Sequence, residues 1–429
     1  MAHMPLTMLR IDLKSGSIPR DYEDSYLELT RLLTEAAGIE HSLMKTYLFG
    51  LFSVKKKYHK LRGDITRYSF KEHSPGGRRG GAVLQEKDTI LAVALEEMQH
   101  LGLVNRFLSA LGAAPNFIPH VFPYSSDVYP FDLELRSLDR YAAATYLWIE
   151  AEECALSLSP KCQGRSEPKA FIREVFKTLS AGSEKFRSTY AGFKRAGKIP
   201  NHVGSIYHAI IAAAQQTAAT PPAFLPSNFP WGEWLQKMNW IVEQGEIAHY
   251  RMFRGVFSGE AFGSDEIWTL RPGNPSYPSH HFKALSAYTC RPNTIPNEKA
   301  RRLAWLSNLH YWLILTLLDE AYRSSDLRSR YKAIDNMTLA LWQLGERLAQ
   351  KYSVGLPFDQ FGPQYMVGRT AATGIRIIRS LVLEAQRWAD KLAEDGLLPP
   401  GYNREIFEFT LDGLQPGPDD SDPTRSPEP

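Results

Sequence analysis

The sequence predicts a mainly α fold, a four-helix bundle with inserted helices and a C-terminal helical extension. Three observations predict it. Long stretches repeat apolar residues at spacings of three and four, the alternation typical of strands is rare, and two of the apolar stretches contain a Glu-x-x-His step. With 429 residues, 43% of them hydrophobic, the chain is long enough to bury a large core.

The predicted organisation has five parts. A lead-in at 1–26 precedes the bundle at 27–257, which contains a helical insertion at about 168–218. A loop-rich connection at 258–300 leads into a helical region at 301–413. Residues 414–429 are rich in Pro and Asp and predict a disordered tail.

Composition narrows the classes of protein to which the chain can belong. A net charge of +3 gives no basic face for nucleic acid. No apolar run is long enough to span a membrane, and no signal peptide is evident. The sparse cysteines Cys154, Cys162 and Cys290 predict no disulfide framework, which favours a reducing cytoplasm. The sequence leaves open whether the protein forms a homo-oligomer.

The first two bundle helices carry the first candidate chemistry. Glu40 lies in the helix predicted at 27–53, and Glu97 and His100 lie three apart in the helix predicted at 83–111. Residues three apart share a helix face, and this face is apolar. A buried carboxylate beside an imidazole is costly unless a metal satisfies both. One such step is also explained by a surface Glu and a hydrogen-bonded core His.

A second copy of the step makes a metal site the better interpretation. Glu246 and His249 lie in the helix predicted at 233–257. The helix predicted from Leu138 to before Pro160, with Ser137 or Asp139 as its cap, offers Glu150, with Glu153 as the alternative ligand one turn on.

Two Glu-x-x-His helices and two single-Glu helices form the ligand set of ferritin-like dinuclear carboxylate bundles. Four carboxylates would offset two divalent cations. Mixed carboxylate and imidazole ligands suit two iron ions, with manganese or a mixed metal pair as alternatives. The predicted metal-ligating and catalytic residues are Glu40, Glu97, His100, Glu150, Glu246 and His249.

Aromatic residues near these positions suggest a substrate pocket. Tyr47, Phe107, Tyr146 and Phe253 fall four or seven residues from a predicted ligand, on or near its helix face. Ordinary core packing explains any one of them equally well.

Several segments resemble the ferritin-like domain family of iminophenyl-pyruvate dimer synthases. The segments that carry the resemblance are IEHSLMKTYLFGLFSV, EEMQHLGLVNRFLSALGAAP, YLWIEAEE, VGSIYHAI and IVEQGEIAHYRMF, and more weakly NLHYWLILTLLDEAY. The resemblance implies the same six ligands and, through Ile149, favours Glu150 over Glu153. Dimer synthases can carry a long additional region that this chain lacks.

These observations predict a non-haem di-iron oxidoreductase that uses dioxygen to oxidise a small organic molecule. The resemblance implies that this substrate is an amine or imine derived from an amino acid. The resemblance places that activity in natural product biosynthesis. One alternative is oxidative coupling of two imine molecules, as in dimer synthases. Another is a ferroxidase or iron-binding protein without an organic substrate, although the C-terminal helices have no obvious role there. A bundle that has lost its chemistry is the last alternative.

Overall fold

The predicted mainly α fold is confirmed by the computed structural model. The structure describes residues 18–65, 88–126, 128–158, 162–195, 202–324, 327–361 and 371–414, and among these it contains isolated β-bridges but no named strand. The predicted disordered tail, apart from Leu414, and most of the lead-in lie outside the described residues. The chain forms two units, the first made of Met1–Ala114 and Phe122–His280, the second of Pro115–Val121 and His281–Pro429.

The first unit contains the helices that carry the predicted ligands. Its α-helices are α1 (Ser25–Ser53), α2 (His59–Arg62), α3 (Ile90–Ala110), α4 (Arg140–Glu150), α5 (Lys169–Gly182), α6 (Glu184–Arg195), α7 (Val203–Ala219), α8 (Trp231–Gln244) and α9 (Tyr250–Ser258). Short 3₁₀ turns lie at Lys56–Tyr58, Glu260–Phe262 and Ile267–Thr269. A π-helical turn, Gly245–His249, joins α8 to α9 without a break.

The second unit is also helical. Its helices are α10 (Glu298–Ser324), α11 (Leu327–Asp335), α12 (Trp342–Arg347), α13 (Ala371–Glu394) and α14 (Ile406–Leu411), with π-helical turns at Asn336–Leu341 and Leu348–Tyr352. α10 packs against α11 and α13. None of the helices in the described part of the chain is long and apolar enough to cross a membrane.

Side-chain caps start the first three ligand helices. Asp24 accepts a hydrogen bond from the backbone N–H of Leu27 at 2.8 Å, and Thr89 starts α3 in the same way. Of the two caps predicted for α4, the structure uses Asp139, whose carboxylate accepts from the backbone N–H of Ala142 at 2.8 Å. Each cap satisfies an amide that the helix itself leaves unpaired.

Helix α1 is the central element of the first unit. It packs against both α3 and α7, so its middle turns are buried on every side. Gly50 makes room for a side chain of α4. A Cβ at that position would lie 2.7 Å from the Tyr146 hydroxyl, which donates to the Thr46 carbonyl at 3.0 Å. The polar residues of these middle turns therefore face protein and not solvent, which places Glu40 in the interior.

Two sequence predictions about the end of α4 are wrong. The helix stops at Glu150 and does not continue toward Pro160, because the backbone becomes extended at Ala151. The cysteines that follow are paired, since Cys154 and Cys162 form a disulfide, while Cys290 is free and exposed. The bridge closes a short loop directly after the helix. The prediction failed because a small number of cysteines excludes a disulfide framework but not one local pair.

A buried polar network holds the second unit together. The His310 ring on α10 is hydrogen-bonded to the Asn336 side chain at 2.9 Å through Nδ1, and to the Tyr402 hydroxyl at 2.7 Å through Nε2. Burial lowers the pKa of His310 to about 4. This histidine is therefore neutral at pH 7, and each ring nitrogen has a partner.

The disulfide predicts the labelling pattern of the cysteines. In unfolded but unreduced protein we expect iodoacetamide to modify Cys290 alone, because the other two sulfurs are bonded to each other. After reduction all three should react, as mass spectrometry of the peptides would show. A Cys290→Ser variant is the control and should take no label before reduction. Labelling of Cys154 without reductant would contradict the pairing.

The buried histidine predicts acid sensitivity. Because the pKa of His310 is lowered from 6.5 to about 4, the unfolded chain binds the proton more tightly than the folded one. Stability is present above pH 6.5 and is lost as the pH falls toward 4, by up to about 3 kcal/mol. In urea titrations at pH 7 and 4.5, the stability gap between wild type and His310→Gln should shrink at the lower pH. A gap that stays constant would argue against this origin.

Candidate dinuclear metal centre

Five of the six predicted ligands meet in the interior of the first unit. Two groups have ligand atoms within 4.8 Å of one another, Glu40 with Glu97 and His100, and Glu97 with Glu150 and His249. All five side chains are buried, and Glu97 belongs to both groups. The arrangement is that of two adjacent cation sites sharing one carboxylate.

Both histidines direct the same ring nitrogen into the cluster. His100 Nδ1 lies 3.0 Å from Glu97 Oε2 and 3.7 Å from Glu40 Oε2. His249 Nδ1 lies 3.0 Å from Glu97 Oε1 and 3.4 Å from Glu150 Oε2. One oxygen of Glu97 thus faces each imidazole, as a carboxylate bridging two metals requires.

The outward nitrogens are held by two residues that sequence reasoning missed. His100 Nε2 lies 2.9 Å from Gln244 Oε1, and His249 Nε2 lies 2.7 Å from Glu96 Oε2. An Nε2–H donated to these oxygens leaves Nδ1 free to bind a cation and fixes the ring plane. Glu96 could have been noticed as the neighbour of Glu97, whereas nothing in the sequence marks Gln244.

Two tyrosines orient the terminal carboxylates, which are those of Glu40 and Glu150, each a member of one ligand group only. The Tyr47 hydroxyl donates to Glu150 Oε1, and the Tyr207 hydroxyl donates to Glu40 Oε1. In each carboxylate the other oxygen, Oε2, is left on the side of the histidine. Tyr207 lies on α7, within the predicted insertion, which packs against α1 and so forms part of the site.

Burial and mutual repulsion dominate the electrostatics of the carboxylates. Burial, with the charge of Glu97 added, raises the pKa of Glu40 to about 8 and raises the pKa of Glu150. Burial alone would raise the pKa of Glu97 as well. The charge of His100 and hydrogen bonds from neighbouring groups outweigh burial and lower the pKa of Glu97.

The pKa values of both imidazoles are raised. Burial opposes their charge, but Glu97 raises the pKa of His100 to about 10, and Glu150 raises the pKa of His249 well above 6.5. Without a cation the cluster therefore retains protons on its ligands, and metal binding would release them.

The donor set fits divalent metal ions. Glu40 Oε2 and His249 Nδ1 are buried, and neither makes a well-directed hydrogen bond with the described residues. Orphaned buried acceptors are costly unless something satisfies them, and oxygen and imidazole donors suit iron or manganese. The three carboxylates of the two groups, with Glu96 beside His249, approach the charge needed by two divalent ions.

The sixth predicted ligand lies elsewhere in the structure. Glu246 Oε1 is 3.9 Å from His202 Nδ1, and Glu246 belongs to neither ligand group of the described residues. The Gly245–His249 turn is π-helical, so a spacing of three no longer brings two side chains onto one face. Gly245 lies beside the centre, where a Cβ would be 3.0 Å from Glu150 Oε2.

The alternative third-helix ligand is also outside both groups. Because α4 ends at Glu150, Glu153 is not one helical turn further along the same face. The charges of Glu152 and Glu153 instead act on Glu246, whose pKa is raised to about 7 chiefly by burial. Roles for Glu153 and Glu246 at the centre stay predictions.

Three of the four predicted pocket aromatics form one cluster beside the centre. The Tyr47 ring centroid lies 4.8 Å from that of Tyr146 and 5.0 Å from that of Phe253. Phe107 is apart from them and stacks on Trp234 at 4.7 Å. All four are buried, so their contact with a substrate stays a prediction.

A comparison with family models covers this part of the chain. A model described as Ferritin-like matches residues 33–258, more than half of the sequence and the whole of the ligand-bearing region. No curated protein and no solved structure matches the chain.

The shared carboxylate predicts unequal effects of substitution on metal content. We expect Glu97→Ala to lose both of about two bound irons, because both groups use it, and Glu40→Ala to keep at most one. Glu152→Ala, an exposed residue in neither group, is the matched control. Elemental analysis after iron loading and desalting measures the result. Wild-type stoichiometry in Glu97→Ala would be incompatible with a shared ligand.

Proposed function

We propose that this protein, which belongs to the Ferritin-like family, is a non-haem dinuclear metal oxidoreductase. In this proposal the metals are iron, and dioxygen oxidises an amine or imine derived from an amino acid, in natural product biosynthesis. The observation that carries the proposal is the pair of buried ligand groups that share Glu97.

The arrangement of protein donors supports redox chemistry over a purely structural role. A dinuclear iron centre, when bound, supplies electrons to dioxygen. Among the residues that the structure describes, only five side chains serve the two groups, so coordination positions on the cations would be left open for other ligands. Structural metal sites are usually closed by protein donors, whereas catalytic ones keep an open position.

The chain's own residues contribute position and proton control. Tyr47 and Tyr207 each occupy one oxygen of a terminal carboxylate, which leaves the other oxygen for a cation. Gln244 and Glu96 hold the imidazole rings in the orientation that points Nδ1 inward. The aromatic cluster around Tyr47 excludes bulk water on that side.

The proposal is tested by oxygen uptake. With iron-loaded protein and a panel of amino acids and imines, we expect continuous dioxygen consumption with at least one compound, and none under the same conditions with Glu97→Ala. Product formed at full rate without dioxygen would overturn the oxidase assignment. Uptake with ferrous iron alone that stops at about the iron supplied would favour a ferroxidase. A coupled dimeric product would favour imine coupling.

A further inference from the structure

A third tyrosine near the centre has no internal partner for its hydroxyl. The Tyr129 side chain is 2% exposed, and its Oη makes no hydrogen bond with the described residues. Burying a hydroxyl without a partner is unfavourable, and each such group in a folded protein calls for an explanation. By contrast, the hydroxyls of Tyr47 and Tyr207 both donate to carboxylates of the centre.

The segment that carries Tyr129 is anchored to the two helices that supply the terminal carboxylates. On one side, Ser126 donates to Glu35 of α1 at 3.2 Å, and its Oγ accepts from the backbone N–H of Val128 at 3.1 Å. On the other side, Tyr129 stacks on Phe131 with the ring planes 3° apart.

The second anchor continues through aromatic contacts to α4. Phe131 stacks on Phe186, whose ring meets Trp148 edge to face at 5.1 Å. Trp148 lies two residues before Glu150 on α4. Contacts on both sides therefore hold the segment around Tyr129 in place. The unpaired hydroxyl of Tyr129 belongs to a well-packed side chain and not to a weakly held loop.

The carboxylates of the centre act electrostatically on Tyr129. After burial, the carboxylates of Glu150, Glu40 and Glu97 are the next causes that raise the pKa of Tyr129. Tyr129 in turn acts on both Tyr47 and Tyr207. The three phenols are therefore subject to the charges of the same cluster, and the hydroxyl of Tyr129 alone among them has no acceptor in the described part of the chain.

We propose that the Tyr129 hydroxyl donates a hydrogen bond to a small anion or to an anionic oxygen of a substrate bound at the dinuclear centre. This inference rests on the proposed function and adds a ligand-binding residue to it. The hydroxyl is a donor without an acceptor, and an anionic ligand between the metals and Tyr129 would supply one.

Azide is the probe for this role. Wild type, Tyr129→Phe and Tyr402→Phe are loaded with iron in air, their iron content is measured, and azide is titrated while its charge-transfer absorbance is followed. Tyr402 is the matched control, a buried tyrosine of the second unit whose hydroxyl is partnered by His310. We expect equal iron content, and an azide Kd about 10-fold or more higher in Tyr129→Phe only, as for one lost hydrogen bond to a charged group.

Thermal unfolding of the metal-free proteins is the second measurement. Tyr129→Phe should have a Tm equal to or above that of wild type, because it removes an unpaired buried hydroxyl, whereas Tyr402→Phe should have a lower Tm. A lower Tm for Tyr129→Phe would show that its hydroxyl has an internal partner and would overturn the inference.

The two proposals fail in distinguishable ways. Wild-type protein that binds no iron would overturn the proposed function, and the role of Tyr129 with it. Normal iron content in Tyr129→Phe with an unchanged azide Kd would overturn the role of Tyr129 alone.

Discussion

The buried carboxylate of Glu97 is the constraint on which the rest of the centre depends. One of its oxygens lies 3.0 Å from His100 Nδ1 and the other 3.0 Å from His249 Nδ1. A charge at this depth is tolerated only where opposite charges and hydrogen-bond donors converge on it. The helices that carry Glu40, Glu150 and the two histidines must therefore pack with their polar positions facing inward.

A second layer of contacts determines how each ligand is presented. Every carboxylate divides its two oxygens between different tasks, with one side of Glu40 and of Glu150 taken by a tyrosine and the other left facing an imidazole. In the same way, Gln244 and Glu96 each contact the Nε2 atom of one histidine, and the Nδ1 atom is left facing the cluster. These hydrogen bonds fix the side-chain conformations in advance. Binding a cation would therefore cost less conformational entropy than it would with flexible side chains.

Burying so many ionisable groups together makes the cluster energetically unfavourable without cations. Burial keeps a proton on Glu40, whose pKa is raised to about 8. The charge of Glu97, acting against burial, keeps a proton on His100, whose pKa is raised to about 10. Cations bound at the cluster would displace these protons, relieve the repulsion between the carboxylates and find their ligand atoms already in place. The same low-dielectric interior that makes the empty cluster costly would strengthen electrostatic interactions with a ligand bound there.

The sequence by itself determined the helical fold and predicted most of the residues that meet at the candidate centre, because apolar periodicity and a repeated Glu-x-x-His step are local patterns. Five of the six predicted ligand residues lie together in the structure. The side chain of Glu246 was not predictable, since the π-helical turn after α8 redirects it and packing selects that turn. The hydrogen bond from Tyr207 to Glu40 was not predictable either, because Tyr207 lies on a helix that the sequence pattern places in an insertion. Only the tertiary structure decided which distant side chains hold the ligands, because hydrogen bonds across more than a hundred residues leave no periodic signal in the chain.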